Sequence, residues 1–406
     1  MNKLFALVLA GMACVPAVQA EPVSILFVGN SYTFGRNDLV MSYNTANVTD
    51  LTNAMWQANA TGSNVFEPHP WGGVPGIFKQ FTVQAGLDYD VALSTRNAAS
   101  LRGHFLNSNP ADWDLRGNIA SRQWGKVVLQ EQSDEALPKQ PGLASNPAYF
   151  SAYANKIEQF VHDGAAQSYR EREIIGGTSA TCQAITGASA GSCNLLRNVP
   201  ANANASAATD VYLYQTWARP NLVNAPFTTV TDPVTGAVSF TTTPATSFYP
   251  TLEAMTADLH DAYFDLAASN PGFAGVAPVG DSFMSAVASG IATRDIYAPD
   301  AGSDALIDLW WDDGTHASTA GSYLSALALF GSITGVDPAS LGAGELAAFE
   351  LGISAADALA LQRVASAQLG FAAPVPEPST WALTLLGLVA VGWRMRRRSA
   401  GASLTA

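Results

Sequence analysis

An apolar run of β-branched, aliphatic and aromatic residues, broken only by Ser24, spans Val23 to Val28 and stops at Gly29-Asn30-Ser31. That abrupt stop constrains the fold more than any other stretch of the 406-residue chain. A short, nearly continuous apolar segment closed by glycine reads as a strand buried on both faces, the kind found inside a parallel sheet covered by helices. A serine just past such a strand lies at the carboxyl edge of the sheet, where open α/β folds place their ligands. Its hydroxyl is a poor nucleophile until a neighbouring base takes the proton, so the chain has to supply a histidine and a group to orient it. Asp313-Gly314-Thr315-His316 supplies both. Three residues apart across a tight turn, the carboxylate can accept from one imidazole nitrogen while the other faces the serine. Asp312, at an offset of four, competes with Asp313 for that role. Each motif by itself is more often an ordinary turn or a helix start than a site; their occurrence together, near opposite ends of one domain, makes them informative.

Between these ends the pattern alternates strand and helix. Helical periodicity marks 78–85, 148–162, 250–268 and the start of a helix at 283–289, while apolar or β-branched runs mark strands at 90–93, 127–132, 174–176, 211–217 and 275–279. Such alternation predicts a mostly parallel central sheet covered by helices on both faces, a three-layer α/β/α sandwich. Residues 227–243, with Asp-Pro-Val-Thr-Gly between Thr- and Val-rich arms, read as a hairpin inserted after a core strand, over the site or on its rim. Residues 341–369 read as helices on the back of the domain.

The segment from Ile25 to Leu39, ILFVGNSYTFGRNDL, resembles the first block of the SGNH (GDSL-like) hydrolase superfamily in its Gly-Asn-Ser branch. The segment from Leu309 to Leu324, LWWDDGTHASTAGSYL, resembles the last block, in which Asp-x-x-His completes a triad. Trp124 to Ser133, Tyr212 to Ala218 and Ala277 to Gly280 resemble internal strands of that branch. The likeness spans roughly 23–335 and is strongest at its ends. It implies Ser31 as nucleophile, His316 as general base and then acid, and Asp313 as the orienting carboxylate. No metal or organic cofactor is implied.

Departures from the superfamily pattern concern the oxyanion donors. Besides the backbone N–H of the nucleophile, here Ser31, many members use a glycine N–H and an asparagine amide from Gly-x-Asn-Asp, and neither occurs here in that form. Gln130-Glu131-Gln132-Ser133 occupies the third block; on a strand Gln130 and Gln132 would share a face, and either could offer its amide, with Gln132 preferred. In the second block, a backbone N–H of Ala99 or Ser100 would replace the glycine. A buried polar ladder is the alternative role for both glutamines. Losing one donor costs roughly a hundred- to thousand-fold in rate.

The ends of the chain indicate where the chemistry happens. Residues 1–20 combine Lys3, an apolar run and Val18-Gln19-Ala20, and read as a secretory signal peptide. That leaves 21–371 as the hydrolase domain and 372–406 as linker and tail. In the tail, Pro376-Glu377-Pro378 precedes an apolar stretch, 381–393, and the cluster Arg394, Arg396, Arg397, Arg398. This arrangement resembles the PEP-CTERM sorting signal, and implies an exosortase as partner and delivery to the envelope, surface or exopolysaccharide matrix of a Gram-negative bacterium. A plain membrane anchor is the alternative, although the span is short for a full hydrocarbon core.

Composition fits that address. Lys3 and the four tail arginines account for five of the 20 basic residues and Glu377 for one of the 33 acidic ones, so the balance of the mature chain is near −17. Such a charge argues against a nucleic-acid partner and against binding of polyanions by bulk attraction. Cys14 leaves with the signal peptide, so Cys182 and Cys193 are expected to form a disulfide in an oxidising compartment; without matching histidines they do not suggest zinc. His104 and His69 read as structural, and Trp310 and Trp311 as core residues before a sugar platform. The resulting expectation is an extracytoplasmic ester hydrolase acting on O-acyl (acetyl) groups of polysaccharide. Two other readings stay open: a catalytically weak surface protein that binds carbohydrate, and a lipid or thioester hydrolase.

Overall fold

Residues 23–29 form the strand β1 (Val23–Gly29), with every residue after Val23 buried. Burial on both faces requires neighbours on both sides and layers above and below, and β1 has all of them. The computed structural model describes residues 21–61, 67–108, 113–231 and 238–371. The signal segment 1–20, the tail 372–406 and the turn 232–237 of the expected hairpin lie outside the described residues.

The remaining strands in chain order are β2 (Thr49–Asp50), β3 (Tyr89–Thr95), β4 (Lys126–Gln130), β5 (Gln167–Arg170), β6 (Leu196–Val199), β7 (Asp210–Tyr214), β8 (Thr229–Thr231), β9 (Val238–Phe240) and β10 (Phe273–Ala277). Six of them build one parallel sheet in the order β10-β7-β4-β1-β3-β2. Strand β1 pairs with β3 on one side, Phe27 opposite Leu93, and with β4 on the other, Phe27 opposite Val128. The chain therefore fills one half of the sheet, returns past β1 and fills the other half. That reversal opens a crevice at the carboxyl end of β1.

Helices cover both faces. On one, Gly73–Gln84 packs against Thr319–Thr334, which in turn meets Val279–Ala288 and Ala355–Gln368. Phe78 from this layer meets Phe27 of β1 edge to face, with ring centroids 5.4 Å apart. On the other face, Leu101–Leu106 packs against Pro147–His162, whose Phe150 lies 4.6 Å from Tyr263 of Leu252–Ser269. The molecule is thus a mixed α/β fold with a parallel central sheet between two helical layers.

Several segments depart from the sequence expectation: β7 stops at Tyr214 instead of 217, and β10 at Ala277 instead of 279, where a helix begins. Residues 174–176 do not form a strand: Glu171–Ile174 is a helical turn, and the strand is β5, paired antiparallel with β6 outside the main sheet. Glu173 accepts the Arg170 N–H at 2.8 Å and closes that turn, and Gly176 and Gly177, at φ +76° and +77°, cannot continue as extended chain. Strand β4 ends at Gln130 instead of 132, because the buried Glu131 carboxylate accepts the N–H groups of Gln132 and Leu101, at 2.7 and 2.9 Å. Within 227–243, β8 and β9 form an antiparallel pair. Cys182 and Cys193 are joined, linking the helices Ser179–Thr186 and Ala190–Asn194.

Candidate active site

The chain turns sharply at the end of β1. Asn30 caps the one-turn helix Ser31–Phe34, its side-chain oxygen accepting the Tyr32 N–H at 3.1 Å while its amide donates to the Ala99 carbonyl at 3.0 Å. Gln130 brackets the same turn from β4: its Oε1 accepts both the Asn30 N–H and the Thr33 hydroxyl, each at 2.9 Å. Gly29 is required for this closeness, since a Cβ there would stand 2.2 Å from Thr33 Oγ1 and 2.4 Å from Gln130 Oε1. Gly73, at φ +62°, lets the opposing helix start against the Phe34 backbone. Ser31 begins the short helix, and its hydroxyl is held at the mouth of the crevice.

Across the crevice, Asp313 folds its own loop. One carboxylate oxygen accepts the N–H groups of Thr315 and His316 at 2.8 and 2.9 Å, and the other meets His316 Nδ1 at 2.6 Å. His316 Nε2 lies 2.9 Å from Ser31 Oγ. With the Nδ1 proton held by Asp313, Nε2 presents its lone pair to the serine hydroxyl. Burial pushes the Asp313 carboxyl up, but the hydrogen bond and charge of His316 and the two backbone donors outweigh it and hold the group below the usual carboxylate range. Asp312 is exposed and takes no part in this chain of contacts. A stack of rings supports the loop from beneath. Tyr32 lies on Trp217 at 3.9 Å and Trp217 on Phe283 at 5.0 Å; Tyr32 Oη and Trp217 Nε1 both donate to the Thr315 carbonyl, at 2.7 and 3.0 Å.

Ser31 and His316 face a cleft of about 310 Å³ whose walls also include Arg36, Ala98, Gln132 and Arg219. The two glutamines do not share a face. Gln130 is fully buried, its amide donating to the Glu131 carbonyl, so it is a bracket and not an oxyanion donor. Gln132, beyond the strand end, lines the cleft; its Oε1 accepts the Asp134 N–H at 3.2 Å and its amide donates to Ser133 Oγ at 3.1 Å, which leaves a second amide hydrogen for a ligand. The expected backbone donors also shift. The Ala99 N–H is spent on the Arg96 carbonyl at 3.2 Å, and Ser100 caps Leu101–Leu106 and lines a neighbouring cleft. Ala98 instead borders the site, at φ +56°. No sequence signal marks that left-handed alanine.

His104 is buried, with its Nε2 2.9 Å from the Gly29 carbonyl, and burial pushes its pKa down to about 4, so it supports β1 as a neutral ring. His69 is buried between Trp71 and Trp113 and hydrogen-bonded to Asp50 and Thr52. Trp310 is in the core, donating to the Ala218 carbonyl at 2.9 Å; Trp311 is half-buried with its ring 6.5 Å from that of His316. Sequence reasoning missed Arg36, Arg219, Tyr32 and Trp217. Arg219 donates to Ser133 Oγ at 3.0 Å and to Thr315 Oγ1 at 3.3 Å, tying the two walls of the cleft together.

A parallel α/β sandwich with a serine, a histidine and an aspartate in hydrogen-bond sequence at its switch point defines the class of site present. At its carboxyl end the chain carries a PEP-CTERM protein-sorting motif, matched over residues 374–398, the recognition signal of an exosortase and a mark of export and surface sorting in bacteria. No curated protein matches the sequence. Among solved structures, the chain is similar to a "putative SGNH hydrolase" from Slackia heliotrinireducens at 16% identity, covering 77% of this chain and 100% of that one, with a TM-score of 0.35. It is also similar to a DUF4886 family protein from Bacteroides uniformis at 12% identity, covering 86% and 95%, with a TM-score of 0.41. Among the described residues, no helix is long and apolar enough to cross a membrane; the apolar stretch 381–393 lies outside them.

Proposed function

We propose that the chain is an exported SGNH-type serine ester hydrolase that removes O-acyl groups, acetyl above all, from polysaccharide at the surface or in the extracellular matrix of a Gram-negative bacterium. The observation that carries the reading is the unbroken contact from Asp313 through His316 to Ser31, at 2.6 and 2.9 Å. Ser31 Oγ attacks the ester carbonyl as His316 Nε2 takes its proton; the tetrahedral intermediate collapses, and the same proton goes to the departing alkoxide. Water then attacks the acyl-enzyme, giving its proton to His316, and the acid leaves with Ser31 restored. Asp313 stabilises the imidazolium in both steps. The oxyanion would be met by the Ser31 N–H, at the first position of a helical turn where backbone donors lack an intrahelical acceptor, by Gln132 and by the Ala98 backbone.

Labelling of the intact protein with a serine-reactive organophosphonate tests the reading: a single adduct on Ser31 that is lost in His316→Ala supports it, and an unlabelled Ser31 in a folded protein with no hydrolysis of aryl acetate refutes it. The address is tested separately. An exosortase would cut near Pro376 to Pro378, so the mature surface protein would lack residues 381–406, and Glu377→Ala would block processing. Recovery of the intact tail from surface material would favour a membrane anchor.

A further inference from the structure

Beside the catalytic cleft lies a second, larger one of about 630 Å³, lined by Arg96, Arg102 and Arg197. The two adjoin, for Asn97 and Ala98 border both. Arg36 and Arg219 stand in the catalytic part. Five of the eleven arginines between residues 21 and 371 therefore gather on one track through a chain whose formal charge is −13.

Three guanidinium groups line the larger cleft, where Arg96 faces the buried Glu67, a carboxylate it shares with Arg36. Arg102 and Arg197 share a single buried carboxylate, Glu171, at 2.6 and 3.6 Å, and among the described residues no acidic side chain lines the larger cleft. Arg197 Nε is buried with no hydrogen-bond partner. Arg219 faces Asp134 at 3.5 Å in the catalytic part. The larger cleft, whose charged lining residues are arginines, focuses the field locally, whatever the net charge of the whole molecule. Guanidinium groups are suited to carboxylate and sulfate oxygens, which they bind with paired donors.

We infer that this track binds an anionic polysaccharide, with the acylated sugar at Ser31 and charged sugars of the same chain along Arg96, Arg102 and Arg197. The inference rests on the ester-hydrolase reading for the reaction, but the binding it describes does not. A small anion would occupy one cleft; an extended polymer with charge at intervals is needed to use both.

The test compares kcat/KM of the full chain on O-acetylated polygalacturonate and on O-acetylated dextran, across salt, for wild type, Arg96→Gln/Arg197→Gln and Arg197→Lys. The wild type should favour the acidic polymer, a preference that falls by about tenfold as salt rises past the point where the screening length drops below about 10 Å. The double variant should lower the acidic-to-neutral ratio by about tenfold, and Arg197→Lys, which keeps the charge, by less; circular dichroism checks that each is folded. Equal rates on the two polymers with no salt effect would overturn the proposal and leave the hydrolase reading intact. Calorimetry of Ser31→Ala with unacetylated polygalacturonate separates the two further: salt-sensitive binding without any hydrolysis by wild type would keep the groove and reject the enzyme. Single-stranded DNA bound as tightly as polygalacturonate would overturn the carbohydrate assignment.

Discussion

The Asp313–His316 loop and the wall made by residues 96–100 and 130–133 face each other across one cleft, yet they are assembled differently. The loop is closed by its own residues, with one carboxylate accepting two backbone N–H groups and the imidazole within four positions. The wall is assembled from distant parts of the chain: Asn30 reaches Ala99, Gln130 reaches Asn30 and Thr33, and Arg219 reaches Ser133. A locally closed motif keeps its geometry in any fold that tolerates it and can be read from spacing. A wall built by strand adjacency has no spacing to read, and its residues change roles when a strand ends two positions early.

The comparison breaks most decisively at the nucleophile. Ser31→Ala and His316→Ala should each lower kcat on an aryl acetate by about 10⁴-fold or more while thermal unfolding stays near wild type; substantial activity in Ser31→Ala would remove the loop from catalysis altogether. Asp313→Asn should follow with a loss approaching 10⁴-fold, because the amide can favour the wrong imidazole tautomer, and should also loosen the turn.

The wall gives smaller and more divergent effects. Gln132→Ala should lower kcat by about a hundredfold with little change in KM and in stability. Gln130→Ala should instead destabilise, by about 1–3 kcal/mol for each buried donor left unpaired, with activity falling as the serine turn relaxes. Denaturant titration beside steady-state kinetics separates them; the reverse pattern would exchange the roles assigned to the two glutamines.

The last effect is read in stability alone, through its pH dependence. Burial pushes the Glu131 carboxyl up to about 7, against two backbone N–H donors that pull it down. Its folded value lies above the unfolded one near 4.3, so the stability it contributes is fully present below about 4.3 and is lost as pH rises towards 7. Glu131→Gln should flatten that slope in the melting temperature, and an unchanged slope would show that folding does not shift this group.

Much of the fold was legible because burial leaves a period in the residues. The apolar runs at 23–28, 90–93 and 127–132 read as two-sided strands, and helical periodicity at 148–162 and 250–268 marked the long helices. The strand expected at 174–176 was misread because an apolar pair looks alike in a strand and at a helix end, and capping by Glu173 decided between them. The serine and the Asp-His pair were legible as candidates because proton transfer needs those residue types and a turn fixes two of them at short range.

What the sequence by itself determined is therefore the layer architecture, the disulfide candidates and the candidates for the reacting groups, each a consequence of local pattern or of chemistry that few side chains can perform. Only the tertiary structure decided that Gln130 braces while Gln132 faces the cleft, that Ala98 borders the site in place of Ala99, and that Arg36, Arg96, Arg102, Arg197 and Arg219 lie on one track. The physical reason is the order of the sheet: pairing β4 and β3 on either side of β1 brings residues far apart in the chain to one edge, and no property of those residues taken singly records which edge that will be.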